Sequence, residues 1–211
     1  MYFSLSHLFG VLLLSSGIAA ANKTSHCDPT FCNGTEFMSK RFLCGDPRLG
    51  PKHLPASSPF ASILSGYHRL GGLCPDAFLK KWFNNSDYTY FSPPSDGFQL
   101  STAHKPIAAD QVLQRGMLVD CFGTLYETFL FPAGTPFSMR SLPPSSLNTP
   151  TYDDIAAFNY RVYRVEYPFV VTSGPIAAFF GQSGQGMVYK TRSTIDVLLQ
   201  GGLLTRVDER E

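Results

Sequence analysis

The sequence has 211 residues, of which 44% are hydrophobic and 16% are charged, and its formal net charge is +1 at pH 7. A chain of this length forms one domain with a full hydrophobic core rather than two large ones. A charge so close to zero gives no electrostatic reason to expect nucleic acid or an anionic membrane as a partner.

The chain begins with a segment typical of a secretory signal peptide. The apolar run Leu8–Leu14 is followed by small residues up to Ala21, although His7 stands where a Lys or Arg is usual. The run is shorter than the ~20 residues of a membrane-spanning helix, so an uncleaved anchor is the weaker alternative. We therefore predict a signal peptide at residues 1–21 and a secreted protein, extracellular or on the cell surface, with no membrane contact after cleavage.

Three Asn-X-Ser/Thr sequons follow the leader, starting at Asn22, Asn33 and Asn84. Each is a usable N-glycosylation site in a eukaryotic secretory pathway. Three sequons behind a leader support one another, and the sequence therefore predicts a glycoprotein.

Four of the five cysteines crowd into the N-terminal part of the chain: Cys27, Cys32, Cys44 and Cys74. In an oxidising compartment they predict two disulfides, and the sequence does not separate the three possible pairings. A zinc site is the alternative, but paired Cys-X-X-Cys motifs and a His at ligand spacing are missing, so we expect no metal site. The fifth, Cys121, is either a buried or disulfide-linked cysteine or a reactive thiol.

Local patterns divide the mature chain into an extension and a folded domain. Residues 22–59 are rich in Pro, Gly, Ser and Cys and lack helix or strand periodicity, which predicts an irregular extension held by disulfides. Residues 60–211 form the predicted domain. It opens with two short helices between Phe60 and Phe83, and Pro75 suits the first turn of the second helix.

Beyond these helices, short runs rich in β-branched and aromatic residues alternate with turn signals, as is typical of a mainly antiparallel sheet. The predicted strands are Val112–Phe122, Glu127–Phe131, Tyr160–Tyr167, Phe169–Val171 and Leu203–Val207. A short helix at Ser193–Leu199 precedes the last strand. The predicted fold class is α+β, a compact domain with a central, mainly antiparallel sheet, short helices and a disulfide-pinned N-terminal extension.

Two segments of the domain contain candidate chemistry. Arg140 precedes a rigid Ser-Leu-Pro-Pro sequence, and Arg is the side chain suited to bidentate phosphate contacts. On spacing alone, however, an Arg that solvates a turn is the favoured interpretation. The glycine-rich stretch at residues 181–186 follows Phe180 and contains Gln182. Glycines of this kind permit close approach of a ligand, but a mobile hairpin loop is an equally good interpretation.

In this order and spacing, the segments resemble the tuberculosis necrotizing toxin (TNT) family of NAD glycohydrolases, in particular its secreted fungal branch. The resemblance runs from roughly Cys44 to Val207, with its core motifs within residues 111–207. The matching motifs are Gly71–Pro75, Asp120 with Phe122 and Gly123, Pro132–Pro136, Arg140–Pro144, Asn159 with Tyr160, Gly174–Ala177, and Phe180–Gln182.

The resemblance implies hydrolysis of the bond between nicotinamide and ribose in NAD+ or NADP+, with no cofactor required. It makes Arg140 a phosphate ligand and assigns Phe129 and Phe180 to the substrate pocket. Gln182 is a further catalytic candidate. Some relatives bind calcium near their C-terminus and some form homodimers, and the sequence leaves both features open for this chain.

Two positions depart from the family pattern. Cys121 stands where the family has an Arg that grips phosphate, and Val188 stands where it has a Gln that faces the ribose. Two main hypotheses follow: an NAD(P)+ glycohydrolase with Arg140 and Phe129 in its pocket, or a catalytically degenerate pseudoenzyme that binds a nucleotide or a protein partner. A purely structural surface protein is the third.

Overall fold

The computed structural model describes Cys27, residues 31–149 and residues 157–207. The predicted signal peptide and the Asn22 sequon lie outside the described residues.

Three short α-helices occur where the sequence predicts them: α1 (Phe60–Ile63), α2 (Pro75–Trp82) and α3 (Ile195–Gln200). Pro75 occupies the first turn of α2, where its missing N–H costs nothing, and the helix buries Phe78 and Leu79. The Thr194 hydroxyl accepts a hydrogen bond from the backbone of α3 and caps that helix. No helix in the described part of the chain is long and apolar enough to cross a membrane.

The described residues form one seven-stranded sheet and one small hairpin. The hairpin joins β1 (Phe83–Asn84) to β2 (Thr89–Tyr90). The sheet contains β3 (Ala109–Leu113), β4 (Leu118–Phe122), β5 (Phe129–Pro132), β6 (Tyr160–Val165), β7 (Phe169–Pro175), β8 (Met187–Lys190) and β9 (Leu204–Val207). Its strand order is β3-β7-β8-β5-β4-β6-β9, and every neighbouring pair is antiparallel. The predicted α+β class with a mainly antiparallel sheet is confirmed.

The prediction of one strand over Val112–Phe122 is wrong. A turn at Gly116 breaks the segment, and the Gly116 N–H donates to the Val165 carbonyl at 2.8 Å. As a result β3 pairs with β7 at one edge of the sheet, while β4 pairs with β5 and β6. The left-handed φ of +85° at Gly116 explains why glycine occupies this turn.

The glycine-rich segment contains a strand that the sequence analysis missed. β8 begins at Met187, directly after Gly186, and pairs with β7 on one side and β5 on the other. It is only four residues long, and the glycines before it obscure its periodicity. The strand nevertheless brings Val188 and Lys190 into the middle of the sheet.

The two predicted disulfides are present, and their pairing is now defined as Cys27 with Cys74 and Cys32 with Cys44. The first bridge ties the extension to the residue preceding α2. The extension also contributes to the core, because the fully buried Leu49 packs against Phe78 of α2. The N-terminal part of the chain is therefore attached to the helices by both covalent and apolar contacts.

The two disulfides should contribute unequally to stability. The Cys27–Cys74 bridge spans 47 residues and the Cys32–Cys44 bridge spans 12. Loop-closure entropy then gives about 4 kcal/mol for the first and about 3 kcal/mol for the second. We expect the Cys27→Ser plus Cys74→Ser variant to unfold at lower urea than the Cys32→Ser plus Cys44→Ser variant. Equal midpoints, or the reverse order, would contradict this ranking.

Candidate active site

A pocket opens where two neighbouring strands diverge. β4 and β5 stop pairing after Asp120 and Phe131, because β4 continues along β6 to Phe122 while the start of β5, at Phe129, pairs with Lys190 of β8. The resulting pocket has a volume of about 370 Å³, which lies in the range of small-molecule sites. The topology of the sheet therefore creates the cavity.

The walls of the pocket are mainly aromatic, with a few polar groups among them. The aromatic side chains are Tyr90, Phe91, Phe122, Phe129, Phe131 and Phe180. The polar and charged ones are Ser92, Asp96, Glu127, Arg140 and Ser141. An apolar cavity with a few convergent polar groups is the usual form of a ligand site.

Arg140 and Asp120 form an ion pair in which both side chains are 0% exposed. The Arg140 guanidinium donates through Nη1 and Nη2 to the two Asp120 carboxylate oxygens, at 2.5 and 2.9 Å. Its Nε and Nη2 also donate to the Thr135 carbonyl, at 2.9 and 2.6 Å. Asp120 accepts further bonds from the Tyr160 hydroxyl and the Gly134 N–H, both at 2.8 Å. Hydrogen bonds to nearly all of the polar atoms of the two side chains make this buried ion pair tolerable.

Two aromatic rings sandwich the same guanidinium. The Arg140 Cζ lies 5.0 Å from the centroid of the Phe122 ring and 4.7 Å from that of Phe131, both within cation–π distance. Of the five N–H groups on the guanidinium, only one on Nη1 is not used by Asp120 or Thr135. The predicted bidentate contact of Arg140 with phosphate stays a prediction, and it would require the guanidinium to leave Asp120.

Glu127 lies on the pocket wall, in the loop between β4 and β5. Burial raises the pKa of its carboxyl, and a hydrogen bond from the Thr124 backbone lowers it in part. The Glu127 side chain packs over Gly123, where an added Cβ would come within 2.7 Å of the glutamate Cγ. The glycine of the Phe122-Gly123 motif therefore makes room for this carboxylate.

A second carboxylate, Asp96, lies on the pocket wall in the segment before Phe98. It forms an ion pair with Lys190 of β8, with 2.6 Å between Nζ and Oδ2. Both side chains are partly exposed, at 52% for Asp96 and 34% for Lys190. This pair connects the Asp96 segment to the strand that carries Val188.

The two positions that depart from the family pattern both lie in the pocket wall and are buried, Cys121 at 2% and Val188 at 0% exposure. Cys121 packs in the core with Val119 and Tyr163, and burial raises the pKa of its thiol to about 12. It is a free, buried thiol, and its raised pKa favours the inert alternative over the reactive one. Val188 packs against Phe131 and forms an apolar part of the wall.

Gln182 does not lie among the pocket-lining residues. It is 5% exposed, and its side-chain amide donates to the His68 carbonyl at 2.8 Å. The neighbouring Gly181 lies against Gly71, where a Cβ on either residue would come within 2.7 Å of the other backbone. This part of the glycine-rich motif serves close packing between two loops. A direct catalytic role for Gln182 stays a prediction that this conformation does not favour.

Two of the three sequons lie in the described part of the chain. Asn33 is exposed, in a turn of the extension. Asn84 lies at the β1–β2 turn, where its side chain donates to Asp87 at 2.7 Å and accepts from the Ser86 N–H at 2.9 Å. Glycosylation of both sites stays a prediction.

Within the described residues, no group of three or more His, Cys, Asp or Glu side chains could hold a metal ion. The acidic C-terminal residues 208–211, to which the calcium expectation refers, lie outside that range.

Comparison with known proteins identifies the family. A family model described as tuberculosis necrotizing toxin matches residues 112–207. The chain is also 44% identical over 189 residues to the conidial surface nicotinamide adenine dinucleotide glycohydrolase nadA of Aspergillus fumigatus, an alignment that covers 89% of this chain and 80% of that protein. The chain belongs to the TNT family of NAD glycohydrolases. Within it, the relationship to the fungal surface protein extends over nearly the whole chain.

Among solved structures, the chain is similar to tuberculosis necrotizing toxin in complex with its immunity factor. The TM-score is 0.48 at 17% identity, covering 84% of this chain and 94% of the toxin. Rhs1-CT, in complex with its cognate immunity protein, gives a TM-score of 0.33 at 15% identity, covering 48% of this chain and 78% of that one.

The structure places Phe129, Arg140 and Phe180 around one pocket, together with Cys121 and Val188, and their roles there stay predictions. The sequence analysis gave no role to the two pocket carboxylates, Asp96 and Glu127. Glu127 is the first residue of the predicted strand Glu127–Phe131, two residues before Phe129, and was given no role. An acidic residue between two apolar strands is a signal that could have identified it. Asp96 lies before the sheet, in a Pro-rich segment without a motif, so no local signal pointed to it.

Removing one partner of the buried ion pair should destabilise the fold strongly. In the Asp120→Ala variant, Arg140 would remain buried without its counter-ion, so we expect a loss of about 3–5 kcal/mol in the free energy of unfolding. The matched control is Asp110→Ala, which breaks the exposed Arg192–Asp110 pair and should cost less than about 1 kcal/mol. Similar urea midpoints for the two variants would contradict the structural role of the buried pair.

Glu127 should reduce stability at neutral pH. Its raised pKa means that the folded protein holds the proton more tightly than the unfolded chain, so stability is lost as pH rises from the ordinary value of 4.5 through the folded-state pKa. We expect Glu127→Gln to unfold at a higher temperature than the native protein at pH 7. The difference should shrink as the pH falls toward 4.5, and calorimetry over this range measures it. A variant less stable than native at pH 7 would contradict the expectation.

Proposed function

We propose that this protein hydrolyses the bond between nicotinamide and ribose in NAD+, releasing nicotinamide and ADP-ribose. The observation that carries the proposal is the aromatic pocket of about 370 Å³ between β4 and β5, because it collects the family motif residues Phe129, Arg140 and Phe180. The close relative named as an NAD glycohydrolase supports the same activity. NADP+ shares the nicotinamide and its ribose, so the proposal extends to NADP+ as a substrate.

The pocket suits the demands of this reaction. Bond cleavage builds an oxocarbenium-like positive charge on the ribose while nicotinamide leaves as a neutral molecule, so the enzyme must position the substrate and stabilise charge. The partly buried Phe129 ring offers a face for the nicotinamide. The fixed Arg140 guanidinium, with one N–H left on Nη1, holds the wall between Phe122 and Phe131 in place. No step in this scheme requires a metal or a cofactor.

We further propose that the protein acts outside the cell or on its surface. Two disulfides in a small domain are typical of proteins that mature in an oxidising compartment. The related protein from Aspergillus fumigatus is named for the conidial surface. The predicted leader and sequons agree with this location.

The test is nicotinamide release from NAD+ by the secreted, glycosylated protein. We expect the native protein to be active and Phe129→Ala to lower kcat/KM by about tenfold, because one aromatic contact worth about 1 kcal/mol or more is lost. The control is Phe169→Ala, which removes a comparably buried phenylalanine packed against the core on β7 and away from the pocket. Equal activity in the two variants would show that the pocket is not the site.

A silent native protein would reject the proposal and leave the binding-only hypothesis. In that case Val188→Gln offers the sharper test, because position 188 lies on the pocket wall and the family resemblance leads us to expect a Gln there. Gain of nicotinamide release in this variant would identify a degenerate member of the family with an intact pocket. Adding Cys121→Arg is less informative, since the thiol is 2% exposed in the core and Arg would disrupt it.

A further inference from the structure

The charges around the pocket leave one carboxylate without a counter-ion. Three charged side chains line it: Asp96, Glu127 and Arg140. Arg140 is paired with Asp120, and Asp96 is paired with Lys190. Glu127 has no cationic partner among the described residues. Once the two pairs cancel, the pocket therefore presents a net negative charge at Glu127.

Arg161 approaches the same loop through that loop's backbone rather than through the Glu127 side chain. Its Nη1 donates to the Gly123 carbonyl and, at 2.9 Å, to the Asn159 side-chain oxygen. The pKa of the Glu127 carboxyl is raised mainly by burial, and a hydrogen bond from the Thr124 backbone lowers it in part.

The aromatic walls favour the same kind of ligand as this carboxylate. The ring faces of Phe and Tyr attract cations, most strongly where water is excluded. Phe129 starts the strand that follows Glu127, and Phe122 ends the strand that precedes it. The same pocket wall therefore contains a carboxylate and aromatic rings, a combination that suits an organic cation better than a phosphate.

The loop that carries Glu127 is held at several points. The Ile195 N–H of α3 donates to the Glu127 carbonyl at 3.0 Å, and the Thr191 N–H donates to the Thr128 carbonyl at 2.8 Å. A hydrogen bond from Thr124 also reaches the carboxylate. The group is therefore positioned before a ligand arrives, which is the condition for strong electrostatic stabilisation.

NAD+ has one cationic end, the nicotinamide ring, and an anionic diphosphate. Resting on the function proposed above, we infer that the pocket takes the nicotinamide–ribose end of NAD+, with Glu127 facing the positive charge that passes from the ring to the ribose on bond cleavage. The diphosphate then lies toward the rim, away from Glu127.

The chemistry balances with Glu127 as the proton acceptor. The bond between the anomeric carbon and the ring nitrogen breaks, and its electron pair stays on the nitrogen, so neutral nicotinamide leaves. The oxygen of water then bonds to the anomeric carbon and loses a proton to Glu127, which passes it to solvent. The products are nicotinamide, ADP-ribose and one proton.

Binding of small probes tests the inference without relying on turnover. The probes are nicotinamide, which is neutral, and its ring-nitrogen-methylated cation, titrated calorimetrically into the full secreted protein. We expect the native protein to bind the cation about tenfold more tightly, as one charge-assisted contact would give. Glu127→Gln should abolish this preference. The control Glu166→Gln, which removes a partly buried carboxylate outside the pocket, should keep it. No preference in the native protein, or an unchanged one in Glu127→Gln, overturns the inference.

Turnover separates this inference from the proposed function. We expect Glu127→Gln to lower kcat for nicotinamide release by about 10²-fold with a smaller change in KM, and Glu166→Gln to match the native protein. An active native protein whose kcat survives Glu127→Gln overturns the inference and keeps the function. A silent native protein that still shows a Glu127-dependent cation preference rejects the function and supports the pocket assignment. Because Glu127→Gln is expected to be at least as stable as native, misfolding does not explain a loss.

Discussion

The ion pair between Arg140 and Asp120 connects parts of the chain that are far apart in sequence. Asp120 lies in the middle of β4, and Arg140 follows the turn that leaves β5, so the pair holds that turn against the sheet. Tyr160, at the start of β6, is attached through its hydroxyl to the same carboxylate. The rings of Phe122 and Phe131 then close on the guanidinium from both strands. The wall of the pocket is built around this pair, and the separation of β4 from β5 begins beside it.

The same pair determines the electrostatics of the site. A free arginine would make the pocket attractive to phosphate, but the bonds to Asp120 and Thr135 use most of its donors and cancel its charge at short range. What remains is a nearly neutral aromatic cavity with one extra carboxylate. The Arg140–Asp120 pair thus stabilises the pocket wall, whereas the negative charge on that wall comes from Glu127.

Much of this organisation could be predicted from the sequence, and the elements that the sequence analysis missed have physical explanations. The runs that became β6 and β9, and the helix α3 with its glycine stop, contain enough local pattern to be recognised. The turn at Gly116 was missed because apolar residues continue on both sides of it. β8 was missed because a four-residue strand behind three glycines has little periodicity of its own. Both errors concern segments whose structure is determined by pairing with distant strands.

In the candidate site, too, some features could be predicted from local sequence and others depend on contacts with distant residues. Family motifs located Phe129 and Arg140, but the role of Arg140 depends on Asp120, and nothing local to either residue predicts a bidentate buried pair. The position of Glu127 between two apolar strands is a local signal, but its importance arises by elimination, once Lys190 is known to pair with Asp96 and Arg140 with Asp120. A sequence lists charges, whereas only a fold shows which of them cancel.

The two departures from the family pattern gain a physical meaning from this arrangement. With Cys121 and Val188 in its wall, the pocket lacks the arginine and the amide that the family resemblance leads us to expect at these two positions. Apolar surroundings lower the local dielectric, so the attraction between Glu127 and a developing positive charge becomes stronger than it would be beside polar groups. Burying the Glu127 carboxylate without a cationic partner is unfavourable, and burial raises its pKa for the same reason. A substitution pattern that removes polar groups from the site can therefore increase the influence of the one carboxylate that stays.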